Sequence, residues 1–410
     1  MKVPRIIFGI MATLVVPHAS GQIVLTLQDA VQQAMDAHPL VRADAQRIVT
    51  ADALTQQAGL RPNPRLFVQS ENWNFTGSPT QPIASVFTDQ FLYASQSLET
   101  AGKRQRRVDL AQQNVQLTQL DHEILRRQIE FRVRLAYWNA AGAQRVLDLL
   151  RENQLNLQQA TAFHEIQLRE GAIAEADVLR VRLEGDRGAV SVEDAAREAG
   201  AARIALLREM GSDSFPEIRF ADSLDIVPDP PLVNIDSALN ARADLRQARQ
   251  VVEQTRAALR LQHAIARPDV EVLSGYKRTS GYNTLIWGVQ VNLPFFNKNQ
   301  GNIAAATSEV SAAESRVKVV EARIRAEIEG AVLDVESRRR RLSSLVTDAL
   351  SRADESVSVA RAAYREGGTD LLRLLDAERI HIELEVANAR MRMEYRQSLA
   401  SLELALGVSQ

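Results

Sequence analysis

Cysteine is absent from this 410-residue chain, and its six histidines are scattered at 18, 38, 122, 164, 263 and 381. That excludes a disulfide framework, a thiolate metal site, a cysteine nucleophile and a lipid-modified N-terminal cysteine. His38, His122, His164, His263 and His381 form no His-Glu-x-x-His and no pair one helical turn apart, so they read as structural or surface residues. There is no phosphate-cradling glycine loop and no Gly-x-Ser-x-Gly. No catalytic constellation assembles, so neither an enzyme nor a cofactor is expected. Arg338-Arg339-Arg340-Arg341 could bind anions, but four successive arginines point around all sides of a helix and read as a solvated, salt-bridged surface. With 49 basic against 51 acidic residues and a net charge of -2, a nucleic-acid binder working through a basic face is excluded.

The informative spacing is internal. Leu168-Arg169-Glu170-Gly171 recurs as Tyr364-Arg365-Glu366-Gly367, 196 residues later. The same offset carries Gly211 onto Gly407, while Lys103 maps to Lys298 at 195 and Arg61-Pro62 to Arg267-Pro268 at 206, the difference absorbing a longer insertion in the first half. An offset sustained across half the chain means two homologous halves.

Prolines show what holds those positions apart. None lies between Pro82 and Pro216, and none follows Pro294. Both stretches are rich in strong helix formers. Leu110, Leu117, Ile124, Phe131 and Trp138, and then Ile303, Val310, Val317 and Ile324, recur at heptad spacing, which packs helices lengthwise. A helix from about Lys103 to Leu168 would run ~99 Å. Pieces from Ala172 to Met210 and from Asp236 to Ala266 would span ~105 Å laid end to end. One long helix can thus lie beside two shorter ones in line, with the proline-rich stretch between them at mid-height.

Each half also carries a non-helical insert. Regions 64–98 and 268–294 hold nine of the chain's 20 aromatics in 62 residues. They are Phe67, Trp73, Phe75, Phe87, Phe91, Tyr93, Tyr276, Tyr282 and Trp287. Trp287, Val289, Val291 and Leu293 alternate with Gly288, Gln290 and Asn292, which is the pattern of an outer-membrane strand. Hairpins are expected over Pro64–Phe75 with Val86–Leu98, and over Pro268–Thr279 with Thr284–Leu293. Their turns are Thr76-Gly77-Ser78-Pro79 and Ser280-Gly281-Tyr282-Asn283. A soluble four-stranded sheet capping a helical bundle fits the same pattern. Four strands cannot close a barrel, which needs about eight, so in a bilayer several subunits must share one.

At the N-terminus, Lys2 and Arg5, an apolar run Ile6–Val16 and the small residues Ala19-Ser20-Gly21 read as a secretory signal, 1–21. Its removal takes two positive charges and no acid, leaving about -4 from the -2 of the whole chain.

This order of signal, helix, hairpin and long helix, twice over, resembles the TolC-like outer-membrane efflux family. So do Leu60-Arg61-Pro62-Asn63-Pro64 and Leu293-Pro294-Phe295-Phe296-Asn297 with Gln300-Gly301. Ser95-Gln96-Ser97-Leu98-Glu99-Thr100-Ala101-Gly102-Lys103-Arg104 resembles the signature of its heavy-metal (cobalt-zinc-cadmium) branch, with Ala101 in place of a glycine. The resemblance implies a mainly α chain with β-hairpins, four strands per subunit, and a homotrimer sharing a 12-stranded barrel above a periplasmic helical tunnel. It implies repeats over 22–215 and 236–410 joined by a linker, 216–235. It also implies a passive exit duct in the outer membrane, for metal cations or organic compounds, working with a periplasmic adaptor and an inner-membrane RND pump. In the family the tips around Arg169, Gly171, Arg365 and Gly367 dock the adaptor. Asp177, Asp370, Arg373 and Asp376 fall at the tunnel constriction, with Arg373 standing where the family carries an aspartate; each also reads as a solvated helix-end charge. A periplasmic adaptor would carry one helical hairpin rather than two, and a structural coiled coil would not explain the aromatic inserts.

Overall fold

The computed structural model describes residues 23–73, 88–279 and 281–408. The signal segment 1–21, the turn Thr76–Pro79, Ser280 and the strand-end residues Phe75, Val86 and Phe87 lie outside the described residues.

The first half runs β1 (Ile23–Leu25), α1 (Leu27–Ala37), α2 (Pro39–Ala58), β2 (Arg65–Glu71), β3 (Asp89–Leu98), α3 (Lys103–Arg169) and α4 (Glu175–Glu209). After β4 (Ile218–Phe220) the second half follows as α5 (Ile235–Ala241), α6 (Ala243–Ile265), β5 (Val270–Thr279), β6 (Tyr282–Val291), α7 (Gln300–Ser344), α8 (Ser351–Arg365) and α9 (Leu371–Leu406). α7 and α8 are one continuous rod, joined by a π-helical turn at Leu345–Leu350. The 67 residues of α3 rise ~100 Å.

Helix starts follow local chemistry. Thr26 and Asp29 form a reciprocal capping box on α1. His38 caps α2 through Nδ1, accepting the Leu40 N–H at 3.1 Å, with Pro39 in the first turn. Burial holds the His38 imidazole below its ordinary pKa, so it stays a neutral acceptor.

α4 and α6 flank α3 in line, antiparallel to it. Arg182 of α4 meets Glu165 at 2.6 Å, and farther along α3 Gln250 of α6 meets Gln113 at 2.8 Å. The deepest α3 positions are Ile129, Val133 and Tyr137, all at 0% exposure, one turn apart. The heptad positions Leu110, Leu117, Ile124 and Phe131 are only half-buried, and Trp138 is buried. The widest burial therefore follows the crossing with α1, α4 and α9 rather than one seam.

The helical piece expected from Asp236 to Ala266 is divided at Arg242, which is extended at ψ 119°. Its guanidinium binds Asp244 at 2.7 Å and Glu327 at 2.8 Å, and donates to the Leu404 and Ala405 carbonyls. Those carbonyls end α9, so the break places a cation on the helix C-terminus. The stretch 216–234 is strapped across the helices by backbone contacts. Tyr395 donates to the Pro228 carbonyl at 2.7 Å and Arg396 to that of Ile226 at 3.0 Å.

The two inserts join into one antiparallel sheet of order β2-β3-β5-β6. Thr279 pairs directly with Tyr282, so Tyr282 and Asn283 belong to β6 rather than to the turn, and Gly281 turns the chain at φ +83°. Register sorts the faces. Val68, Leu92, Tyr276 and Leu285 share one face with Val272, Val289, Trp287 and Val291. All eight are exposed, Leu285 by 88% and Trp287 by 81%. The opposite face carries Gln69, Ser95, Glu271, Lys277 and Gln290. The aromatics Phe67, Phe91 and Tyr93 also sit on this polar face. Phe67 stacks on Tyr93 at 4.7 Å and Lys277 lies 5.2 Å from the Phe91 ring.

Hydrogen bonds from Arg242 and Arg323 outweigh burial and hold the Asp244 carboxyl below its ordinary range. Its contribution is complete above the unfolded carboxylate pKa and is lost as pH falls through the lower folded value. Asp244→Asn should cost about 2 kcal/mol at neutral pH, in line with hydrogen bonds between charged groups. It should also flatten the fall in thermal stability below about pH 4, read by circular dichroism melts across pH 3 to 7.

Candidate functional site: the helical tips

The site is built on a repeated chain reversal. Gly171, Gly367, Gly211 and Gly407 all lie at φ between +70° and +78°. Each ends a helix in the same way. The glycine N–H donates three residues back and the next N–H five back: Gly171 to Leu168 (3.0 Å) with Ala172 to Gln167 (2.8 Å), and Gly367 to Tyr364 (3.1 Å) with Gly368 to Ala363 (2.8 Å). This is the Schellman closure, and it needs a left-handed residue at that point. The 196-residue offset is thus a repeat of geometry as well as of letters.

Arg169 and Arg365 are the last residues of α3 and α8. Asp177 lies in the first turn of α4, half-buried, where a carboxylate suits the helix N-terminus. Asp370 is the N-cap of α9 and accepts the Arg373 backbone N–H at 3.0 Å. Its carboxylate is therefore engaged by the helix start, and the Arg373 guanidinium makes no ion pair among the described residues. Asp376 pairs with Arg379 along α9.

The two tips are tied to each other by residues that sequence patterning passed over. His164, 4% exposed, has Nδ1 2.7 Å from the Ala160 carbonyl and Nε2 2.9 Å from the Tyr364 hydroxyl. A carbonyl only accepts, so Nδ1 carries the proton and Nε2 accepts from Tyr364 when the ring is neutral. Burial and the nearby Asp177 carboxylate push the Tyr364 phenol above its ordinary pKa, keeping it a donor. One imidazole thus links α3 of the first hairpin to α8 of the second.

Charges around the tips are inverted between the halves. At the 196 offset Glu165 faces Arg361, Asp177 faces Arg373, Arg180 faces Asp376 and Arg182 faces Glu378. Glu165–Arg182 closes the first hairpin at 2.6 Å, and Arg361–Glu378 closes the second at 3.0 Å with the signs exchanged. Above the tips an open groove of about 680 Å³ separates the hairpins, with an apolar floor of Leu150, Leu157 and Ile382 and a rim including Glu184, Arg187 and Glu383. Among the described residues no group of three or more His, Asp or Glu converges to hold a metal, and no helix is long and apolar enough to cross a membrane.

Tyr364→Phe removes the donor to a buried imidazole nitrogen and should loosen the tip by about 1–2 kcal/mol. The expected readout is faster amide exchange over 164–177 and 361–376, with exchange in the Ile129–Tyr137 core unchanged.

Residues 234–408 match the family model "Outer membrane efflux protein". Over 395 residues the chain is 22% identical to the cobalt-zinc-cadmium resistance protein CzcC of Cupriavidus metallidurans, covering 93% of this chain and 90% of that one. Among solved structures it is similar to CusC (TM-score 0.78, 20% identity, covering 93% of this chain and 92% of that one). It is also similar to the outer-membrane channel OprN (0.76, 22%, 93% and 90%). The open-state MtrE outer membrane channel of Neisseria gonorrhoeae matches too (0.77, 18%, 93% and 89%). The second half thus matches the outer membrane efflux family model, and both homologous halves share the fold of the TolC-like channels.

Proposed function

We propose that this chain is the exit duct of a tripartite system, assembled as a homotrimer whose three sheets close one 12-stranded barrel. The observation that carries this is the four-stranded sheet, with an exposed apolar face and with the outer edges of β2 and β6 unpaired among the described residues. Lipid tolerates no open strand edge, and four strands are too few to close alone. Three copies remove every edge. The ~100 Å helices then carry the passage across the periplasm toward an adaptor and an inner-membrane RND pump, which supplies the energy.

At the far end, Arg169, Gly171, Arg365 and Gly367 form the docking tip, and the groove between the hairpins offers an apolar seat for adaptor helices. Asp177, Asp370, Arg373 and Asp376 line the constriction. Because Asp177 and Arg373 are repeat equivalents, a ring of six hairpins alternates carboxylate and guanidinium at that level. Such an aperture is a two-sign closure rather than a cation filter. The cargo reading follows the relative's name: divalent metal cations of the cobalt, zinc and cadmium type. Weak binding suits conduction.

Two measurements test this. The detergent-extracted protein should have about three times the chain mass of 45.5 kDa, and a monomer would overturn the shared barrel. A deletion strain should become sensitive to cobalt, zinc or cadmium salts. Sensitivity to dyes and antibiotics alone would remove the metal cargo and leave the duct.

A further inference from the structure

The helix-side end of the sheet carries features that the duct reading does not use. After β6 the chain runs Leu293-Pro294-Phe295-Phe296, with Leu293 64%, Phe295 72% and Phe296 95% exposed. The segment is firmly bonded. Phe295 N–H donates to the Leu293 carbonyl at 2.9 Å, and the Gln300 amide donates to that of Phe296 at 3.3 Å. Asn299, at φ +62°, donates to the Gln262 carbonyl of α6 at 2.8 Å. Two phenylalanines are thus held outward by a built loop.

At the same end of the sheet stand five exposed cations: Arg61 before β2, Arg65 at its start on the polar face, Arg104 at the start of α3, Arg267 before β5, and Lys298 after β6. Pairing of Arg65 with Ser95, and of Leu98 with Val270 and Val270 with Val291, puts all of these junctions at one end of the sheet. None of the five makes an ion pair among the described residues, whereas their neighbours Lys103, Arg106 and Arg107 are matched by Asp269, Asp109 and Glu99. The opposite end mixes signs, with Glu71 and Asp89 near Lys277 and Arg278.

We propose that this collar binds the anionic headgroups of a phospholipid leaflet, with Phe295 and Phe296 seated in the interface beneath them; the inference rests on the barrel reading above. The ten residues of β6 rise ~34 Å along the strand, or ~24 Å of bilayer at a 45° tilt. Four or five further residues bring Phe295 and Phe296 to the leaflet nearest the helices. A neighbouring subunit would instead join in the plane of the sheet, at its edge. Unpaired cations beside interfacial aromatics are complementary to anionic rather than zwitterionic lipid.

The test uses tryptophan fluorescence of the full trimer in vesicles of phosphatidylcholine containing acyl-brominated phosphatidylglycerol or acyl-brominated phosphatidylcholine. Trp73→Phe leaves Trp287 as the reporter of the lipid face, over a constant background from buried Trp138. Adding Trp287→Phe and Phe296→Trp moves the reporter to the collar. Both reporters should be quenched, and the collar reporter should favour brominated phosphatidylglycerol about tenfold in relative affinity. Replacing Arg61, Arg267 and Lys298 by glutamine should reduce that preference to about twofold, with Trp287 quenching unchanged. Quenching of Trp287 without quenching at 296 would mean that a neighbouring subunit covers the loop, and would overturn the collar. Equal quenching by the two lipids, or a preference indifferent to the three substitutions, would overturn its anionic specificity. Failure to quench Trp287 itself would instead sink the barrel.

Discussion

A sheet with an apolar face and two open edges is unstable in either solvent. In water the face that includes Leu285 and Trp287 is exposed; in lipid the unpaired N–H and C=O groups of β2 and β6 have no partner. Closure with further copies removes both penalties together. That requirement propagates down the molecule. Once three sheets are joined, α3 and the α7–α8 rod must descend as a ring, because each begins within a few residues of a strand.

The rods then depend on local chemistry to stay in register. Their N-terminal ends are fixed at the sheet, where Lys103 binds Asp269 at 2.7 Å across the two halves. Their middles are fixed by the strap 216–234 and by the Tyr137 hydroxyl, 2.7 Å from the Asp222 carboxylate and 3.0 Å from the Leu25 carbonyl. At the tips, buried Val178, Val181, Leu371 and Leu374 are joined by exposed ion pairs worth little individually and by the His164–Tyr364 hydrogen bond.

Much of this was legible in the residues. Proline-free runs marked the rods, and the Gly171–Gly367 offset marked the duplication, because both depend on backbone rules that act locally. Alternation around Trp287 marked the lipid-type face. Other features needed tertiary structure. The break at Arg242 answers the carbonyls that end α9, 162 residues away in sequence. The link from His164 to Tyr364 spans 200 residues and carries no motif. Phe67, Phe91 and Tyr93 fell on the polar face because strand pairing, rather than side-chain type, decides which way a residue points. The inverted tip charges were available at the same offset that revealed the repeat. Inversion leaves no matching letters, so a repeat seen through identical residues does not show it.

That inversion bears on why the two halves remain on one chain. Six identical copies of the first half would set Asp177 against Asp177 and Arg180 against Arg180 around the ring, and six copies of the second would do the same with Arg373 and Asp376. Divergence after duplication has given the two tips opposite signs at equivalent positions, so in the proposed ring a tube built from either half alone would carry a single sign at each level.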